Sequence, residues 1–240
     1  MNNEVIRVAI DLGNTTAKVG VFSNGNLINK EVGVSYASLS KHVNDLSPNN
    51  VIISSVNQKV DELVNKIKSP VLNLNYKTLI PITNKYATPQ TLGRDRLAGA
   101  VGAYAINRNT NTLIIDVGTC ITYDFINSKN EYLGGGISPG IDLKFKALHN
   151  FTAHLPLIDE REANNLIGDT TESAIVSGVI NGTIAEIEEI IRMYKDKFSH
   201  LRIIMCGGGA LGLHNKLKIE TKLVSDLVLI GLNRILEYNV

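Results

Sequence analysis

Leu113–Ile126 reads LIIDVGTCITYDFI, and it repeats a phrase already met at Val8–Phe22, VAIDLGNTTAKVGVF. Each copy is an apolar run, an aspartate, one apolar residue, a glycine, a polar pair or near-pair, and a second apolar run. The aspartates, Asp11 and Asp116, lie 105 positions apart in a chain of 240 residues. A strand that ends in Asp-x-Gly and turns straight back into another strand suits one chemistry well. Gly13 and Gly118 permit the tight turn and let backbone N–H groups come close to a ligand. The hydroxyls of Thr15, Thr16, Thr119 and Thr122 can join those amides around phosphate oxygens. Asp11 and Asp116 can hold hydrated Mg²⁺ or another cation against a polyphosphate, and Lys18 adds a positive charge beside the first loop. A single copy reads equally well as plain turn chemistry. Two copies in matched hairpin settings predict a nucleotide cleft between duplicated domains, each supplying one wall.

The elements around the repeat support that duplication. Strands are predicted over Val5–Asp11, Lys18–Phe22 and Leu27–Val34, with Ser23–Asn26 (SNGN) as a hairpin turn. A strand at Val51–Ser54 and a helix at Lys59–Lys66, stopped ahead of Pro70, follow. Gly93–Asn107, GRDRLAGAVGAYAIN, reads as an Ala/Gly-rich helix whose larger apolar stripe is Leu97, Val101 and Tyr104. Its small residues, Ala98, Gly99, Ala100, Gly102 and Ala103, allow close helix packing, within the chain or across a subunit boundary. After Asn107–Asn111 the pattern restarts with strands at Leu113–Asp116, Ile121–Ile126 and Tyr132–Ile137, turning at Asn127–Asn130. Helices at Pro139–His149 and Thr171–Lys197, a strand at Leu201–Cys206 and a last helix at Ser225–Tyr238 complete the second set. The expected domains are 1–110 and 111–240.

Composition narrows the function classes. Lys and Arg number 24 against 23 Asp and Glu, so a net charge of +1 gives no electrostatic reason to expect nucleic acid or an acidic membrane. No apolar stretch approaches the roughly 18 residues of a spanning helix. The first strand opens at Val5, which leaves no room for a secretory leader. Cys120 and Cys206 are the only cysteines, too few for a disulfide framework or a Cys-rich zinc site. The expectation is a cytoplasmic, reduced protein.

The segment CGGGALGLH formally carries GxGxxG at Gly207, Gly209 and Gly212 after a strand, as a dinucleotide fingerprint requires. Only 28 residues follow Gly212, too few for the rest of a dinucleotide-binding sheet. A glycine turn at Gly207 and Gly208, leading into a helix against which adenine or ribose packs, fits the remaining length. The chain holds no GxxxxGK[ST] sequence, so a P-loop is excluded.

In order along nearly the whole chain, these segments resemble the type III pantothenate kinases of the actin-like and sugar-kinase ATPase superfamily. Asp11–Gly20 (DLGNTTAKVG) is similar to the family's first phosphate motif and Asp116–Phe125 (DVGTCITYDF) to its second. Tyr86–Ala103 resembles the substrate and catalytic segment, with GxDR as Gly93, Arg94, Asp95 and Arg96. Gly134–Leu148 (GGGISPGIDLKFKAL), Leu155–Pro156 and Ile167–Gly178 follow in family order, the last with Thr171 at the substrate threonine. Each phosphate motif alone is common to the superfamily, whereas GxDR followed by a GGxIxPG-type segment is far more specific. Cys120 replaces a small residue such as Ala, and Cys206 stands where Thr is common. Cysteine is small and weakly polar, so packing tolerates both.

The resemblance implies two duplicated ribonuclease H-like, actin-like ATPase domains in an α/β fold. It further implies ATP-dependent phosphorylation of pantothenate at its 4′ hydroxyl, the first step towards coenzyme A. ATP with Mg²⁺ would sit on Asp11, Gly13, Asn14, Thr15, Thr16, Lys18, Thr119, Gly207 and Gly208. A monovalent cation, K⁺ or NH₄⁺, would be held by Asp116, and the protein would be a homodimer. Tyr86, Gly93, Arg94, Asp95, Arg96 and Thr171 would bind substrate, with Asp95 as the base. At the start of a helix the dipole and the neighbouring arginines favour an ionised Asp95; the competing reading is a helix cap. Tyr86 reads equally as a core tyrosine. Two other functions stay in view: a sugar or acetate kinase of the same superfamily, and a non-catalytic regulator on the same fold. Retention of Asp11, Asp95 and Asp116 together argues against the regulator.

Overall fold

The hairpin that opens the chain is set by two residues. Asn24 and Gly25 both take positive φ, 47° and 84°, the conformation whose twist matches a two-residue β-hairpin. They join β2 (Thr16–Ser23) to β3 (Asn26–Ser35), and β2 pairs antiparallel with β1 (Ile6–Leu12). β4 (Asn50–Ser55) then lies parallel to β1, and β5 (Val71–Asn73) parallel to β4. The strand order is therefore β3-β2-β1-β4-β5. The computed structural model describes residues 5–13, 16–55, 60–159 and 165–240.

The second copy reproduces this order. β7 (Thr112–Val117), β8 (Cys120–Ile126) and β9 (Glu131–Pro139) follow one another, and β10 (Arg202–Cys206) runs parallel to β7. β11 (Lys222–Leu223) extends β10, giving β11-β10-β7-β8-β9, the first order read from the other edge. A short strand, β6 (Thr83–Asn84), pairs with the first residues of β9.

By compactness the chain forms two units. One comprises 1–109, 126–134 and 226–240; the other comprises 110–125 and 135–225. In the first, alternation along β1 sends Val8, Ile10 and Leu12 into a core with Val19, Val51 and Ile53. That core is closed by Leu39 and Val43 of α1 (Tyr36–Asp45) and by Val60 and Leu63 of α2 (Val60–Val64). The helix predicted at Lys59–Lys66 is thus shorter among the described residues, and Lys59 itself lies outside them. In the second unit, Leu113, Ile115 and Val117 meet Ile187 and Ile191 of α5 (Thr171–Lys197). α5 starts at a reciprocal cap in which Thr170 and Ser173 satisfy each other's backbone N–H, and it covers the predicted range. α4 (Ile141–Phe151) and the short α6 (Ala210–His214) complete this unit.

The small-residue helix, α3 (Arg94–Ile106), packs on α7 (Leu227–Asn239) of the same chain. A Cβ added at Gly102 would overlap the Leu227 carbonyl, and one at Gly231 would overlap the Ala98 carbonyl. Glycine on both helices lets the two backbones touch. Gly99, on the same helix, has nothing within 4 Å of an added Cβ. Opposite outcomes follow for two like substitutions. Gly231→Ala should lower stability by about 1–3 kcal/mol through overpacking, whereas Gly99→Ala should raise it by up to about 1 kcal/mol through helix propensity. Thermal melts of the pair check this, and equal shifts in one direction would contradict the crossing.

Candidate functional site

In the second unit, Asp116 is the penultimate residue of β7 and registers with Cys206 across the β7–β10 pair. The turn beyond it is locked by main-chain bonds. Gly118 N donates to the Cys120 carbonyl at 2.9 Å, Gly140 N to the Thr119 carbonyl at 3.0 Å, and Gly209 N to the Val117 carbonyl at 2.9 Å. Two of the glycines around it are sterically required. A Cβ at Gly140 would overlap the Gly118 and Thr119 carbonyls. At Gly207, where φ is +91°, a Cβ would overlap the Asp116 carboxylate.

A cavity of about 610 Å³ adjoins this turn, within the range of small-molecule and cofactor sites. Val117, Gly118 and Thr119 form part of its wall, and the first turn of α4 forms another. Gly208, Gly209, Gly212 and Leu213 line the glycine-rich side. Lys146 and Lys216 face Asp142 around it, an excess of positive charge that suits a polyanion. Thr119 and Gly208 were sequence-predicted ligand residues and line the cavity; Gly207 sits just before it, against Asp116. Asp142, Lys146 and Lys216 escaped the sequence reading. Their only signal is position, since Asp142 and Lys146 are one helical turn apart just after the Gly140 turn.

The first unit carries the matching turn. Asp11, penultimate in β1, registers with Lys18 on β2 and Ser54 on β4. Gly13 N donates to the Thr16 carbonyl at 3.1 Å, and the Tyr36 hydroxyl donates to the Gly13 carbonyl. Thr16 is exposed at the start of β2. The predicted ligands Asn14 and Thr15 lie outside the described residues.

The GxDR segment opens α3 in this unit. Gly93, not Asp95, occupies the cap position. Asp95 is exposed, and its Oδ1 accepts from Arg96 N at 2.8 Å. A Cβ at Gly93 would lie 2.6 Å from that oxygen, so the glycine keeps the carboxylate clear. Arg94 donates to the carbonyl of Ser55 at the end of β4. Arg96 is only 8% exposed, and its guanidinium lies over the Tyr86 ring, 5.8 Å from the ring centroid. Tyr86 in turn lies 6.2 Å from the Tyr132 ring and against Gly134, where a Cβ would come within 2.9 Å. The structure therefore gathers Tyr86 and GxDR at one place. Thr171 is exposed at the first turn of α5, in the other unit.

Behind the second turn stands a polar knot that no motif announced. Glu186 of α5 accepts from the Tyr123 hydroxyl at 2.7 Å and the Ser138 hydroxyl at 2.5 Å on Oε1. Its Oε2 accepts from Lys144 Nζ at 2.7 Å, and Lys144 also donates to Thr183 Oγ1 at 2.9 Å. Burial pushes the Glu186 carboxyl up, but hydrogen bonds from Lys144, Ser138 and Tyr123 outweigh it and hold it below the usual glutamate range. Burial, and then the bond to Glu186, push the Tyr123 hydroxyl well up.

A family model for type III pantothenate kinase matches residues 7–193. A type III pantothenate kinase from Cytophaga hutchinsonii is 40% identical over 235 residues, covering 98% of this chain and 100% of its own. The type III pantothenate kinase of Christiangramia forsetii is 42% identical over 242 residues, covering 98% and 99%. Among solved structures, a Campylobacter jejuni protein described as a Baf family transcriptional activator superposes with a TM-score of 0.65 at 22% identity, over 97% of this chain and 98% of that one. A ROK hexokinase from Thermus thermophilus gives 0.55 at 15%, over 98% and 100%. Those structural likenesses establish the duplicated actin-like ATPase fold.

The depressed Glu186 carboxyl has a definite pH signature. A carboxyl whose folded pKa lies below its unfolded value stabilises the fold above the unfolded value, near 4.3 for glutamate, and loses that contribution as pH falls through the folded one. The stability gap between the parent protein and Glu186→Gln should be open at pH 7 and close between about pH 5 and 3. Urea melts across that range measure it; a gap that widens on acidification contradicts the assigned direction.

Proposed function

We propose how this chain, which belongs to the type III pantothenate kinase family, divides its chemistry among the residues just described. It is an ATP-dependent kinase that phosphorylates pantothenate to 4′-phosphopantothenate, the first step of coenzyme A biosynthesis. ATP and Mg²⁺ are the substrate and cofactor of that activity. The observation that most supports a residue-level assignment is Arg96 over the Tyr86 ring beside the exposed Asp95 carboxylate.

In this reading Asp95 accepts the proton of the 4′ hydroxyl as the oxygen attacks the terminal phosphorus of ATP and the bond from that phosphorus to the bridging oxygen breaks, releasing ADP. Phosphoryl transfer depends mainly on positioning and charge, so Tyr86, Gly93, Arg94, Arg96 and Thr171 orient pantothenate. Gly13, Asn14, Thr15, Thr16, Lys18 and Thr119 cradle phosphates, while Gly207 and Gly208 form the floor for the nucleoside. Asp11 and Asp116 are hard oxygen donors suited to Mg²⁺ and alkali cations. The missing Cβ at Gly207 keeps the Asp116 carboxylate approachable. Mg²⁺ supplies charge neutralisation on the phosphates; K⁺ or NH₄⁺ at Asp116 adds to it.

We also assign residues 1–110 and 111–240 as the two copies of the duplication, on the recurrence of the five-strand order. A cytoplasmic homodimer completes the proposal. Among the described residues no helix is long and apolar enough to cross a membrane. Large apolar side chains stand exposed at Phe151 (88%) and Ile167 (82%), of the kind that subunit contacts cover. Light scattering on the purified protein measures the assembly, and a monomer at micromolar concentration would remove the dimer.

Two substitutions test the assignments. Asp95→Asn keeps shape but loses the basic oxygen, so turnover at saturating substrates should fall roughly 10²–10⁴-fold with the melting temperature nearly unchanged. Near-normal turnover would send the search for the base elsewhere. Asp116→Ala should lose most activity together with any stimulation by K⁺ over Na⁺. A coupled assay with pantothenate, ATP, Mg²⁺ and either cation reads both, and a K⁺-responsive Asp116→Ala enzyme would refute the cation site.

A further inference from the structure

Within the carboxy-terminal unit, Gly140 joins α4 to the second phosphate turn, through its N–H on the Thr119 carbonyl. The chain on either side of Gly140 is gripped by one carboxylate. Ser138, two residues before, donates to Oε1 of Glu186; Lys144, four residues after, donates to Oε2. Lys144 is also one helical turn from Gly140, its N–H bonded to the Gly140 carbonyl at 3.0 Å. Tyr123 ties the same carboxylate to β8, the strand that leaves the phosphate turn. Three hydrogen bonds thus converge on a single glutamate from the strand before Gly140, the helix after it and the strand leaving the turn.

The faces of α4 divide accordingly. Ile141, Asp142, Leu143 and Lys146 line the cavity, while Lys144 points back to Glu186 and Thr183. A partly buried ion pair on the α5 side therefore sets where the cavity-facing side of α4 stands against the turn. Glu186 itself does not line the cavity.

We propose that Glu186 is a positioning residue for nucleotide binding, holding Gly140 and the first turn of α4 against the Gly118–Thr119 phosphate turn through Ser138 and Lys144. The inference rests on the kinase assignment above for the identity of the nucleotide. It assigns the effect to ATP and not to pantothenate, because Tyr123, Ser138, Lys144 and Glu186 belong to the unit that carries the Gly118–Thr119 turn, whereas GxDR and Tyr86 belong to the other.

The test uses the full chain carrying Glu186→Gln, which keeps an acceptor for Tyr123 and Ser138 but removes the charge that holds Lys144. The KM for ATP should rise about tenfold, the weight of one charge-assisted hydrogen bond. The kcat at saturating ATP and the KM for pantothenate should stay within about twofold. Ser138→Ala, a milder change that keeps the protein folded should Glu186→Gln not, should raise the KM for ATP in the same selective way. The double variant should be no worse than Glu186→Gln alone, since both act on one path. Calorimetric titration with a non-hydrolysable ATP analogue reads the same shift without turnover. If the parent protein fails to phosphorylate pantothenate, the kinase assignment falls, and calorimetry still decides whether Glu186 tunes nucleotide affinity. An unchanged ATP affinity in both variants overturns the inference. So does a parallel change in kcat and both KM values that merely follows the melting temperature.

Discussion

Main chain pressed on main chain at the end of β7 is the constraint from which the carboxy-terminal unit takes its shape. Gly140 and Gly207 approach the Asp116–Thr119 segment so closely that any side chain would collide with a carbonyl or with the Asp116 carboxylate. Segments far apart in sequence are thereby brought to one turn, and the hydrogen bonds of Gly140 and Gly209 fix their register. Backbone polar groups in such a place must find partners or lose free energy. Here they find each other, which leaves the side chains of Asp116 and Thr119 as the variable chemistry. The cavity, the lysines around it and the Glu186 knot are all arranged about that turn.

The amino-terminal unit uses glycine for a different end. Gly102 and Gly231 join two helices, and Gly93 clears space in front of Asp95. The GxDR segment is thus carried on a helix whose own packing is as tight as the backbone permits. A rigid mount suits the role proposed for Asp95, in which a carboxylate meets a hydroxyl within a few tenths of an ångström. Arg94 strengthens it by reaching from the first turn of α3 to the end of β4.

Much of this was legible in the sequence because it is encoded locally. The repeated Asp-x-Gly phrase marks both strand ends, SNGN marks the hairpin, and the apolar period of Thr171–Lys197 predicts α5 over its observed range. α1 was missed. Its buried residues are only Leu39 and Val43, and its cap, Ser35 accepting from Ser38 N, lies among serines that read as loop. The GxDR residues were found by resemblance, but that Gly93 caps the helix in place of Asp95 depends on backbone angles no motif records. Lys146 and Lys216 belong to no motif, and only the fold brings them to one cavity. The Glu186 knot draws on β8, β9, α4 and α5, and no window of sequence contains it.

α7 follows α3 in sequence only after the whole of the other unit's β7, β8 and α5, yet it lies in the amino-terminal unit, against α3 and beside β1 and β4. Two of its neighbours in that unit, Ala98 and Gly102, are separated from it by more than half the chain. On the ribosome, the amino-terminal sheet emerges long before the helix that covers its second face. The apolar surface of Ala9 and Ile52, buried in the finished protein, stays without its final cover until α7 has been made. The unit whose sheet is made first therefore waits for most of the other unit to be made, and the emergence of α7 sets when α3 gains its permanent support.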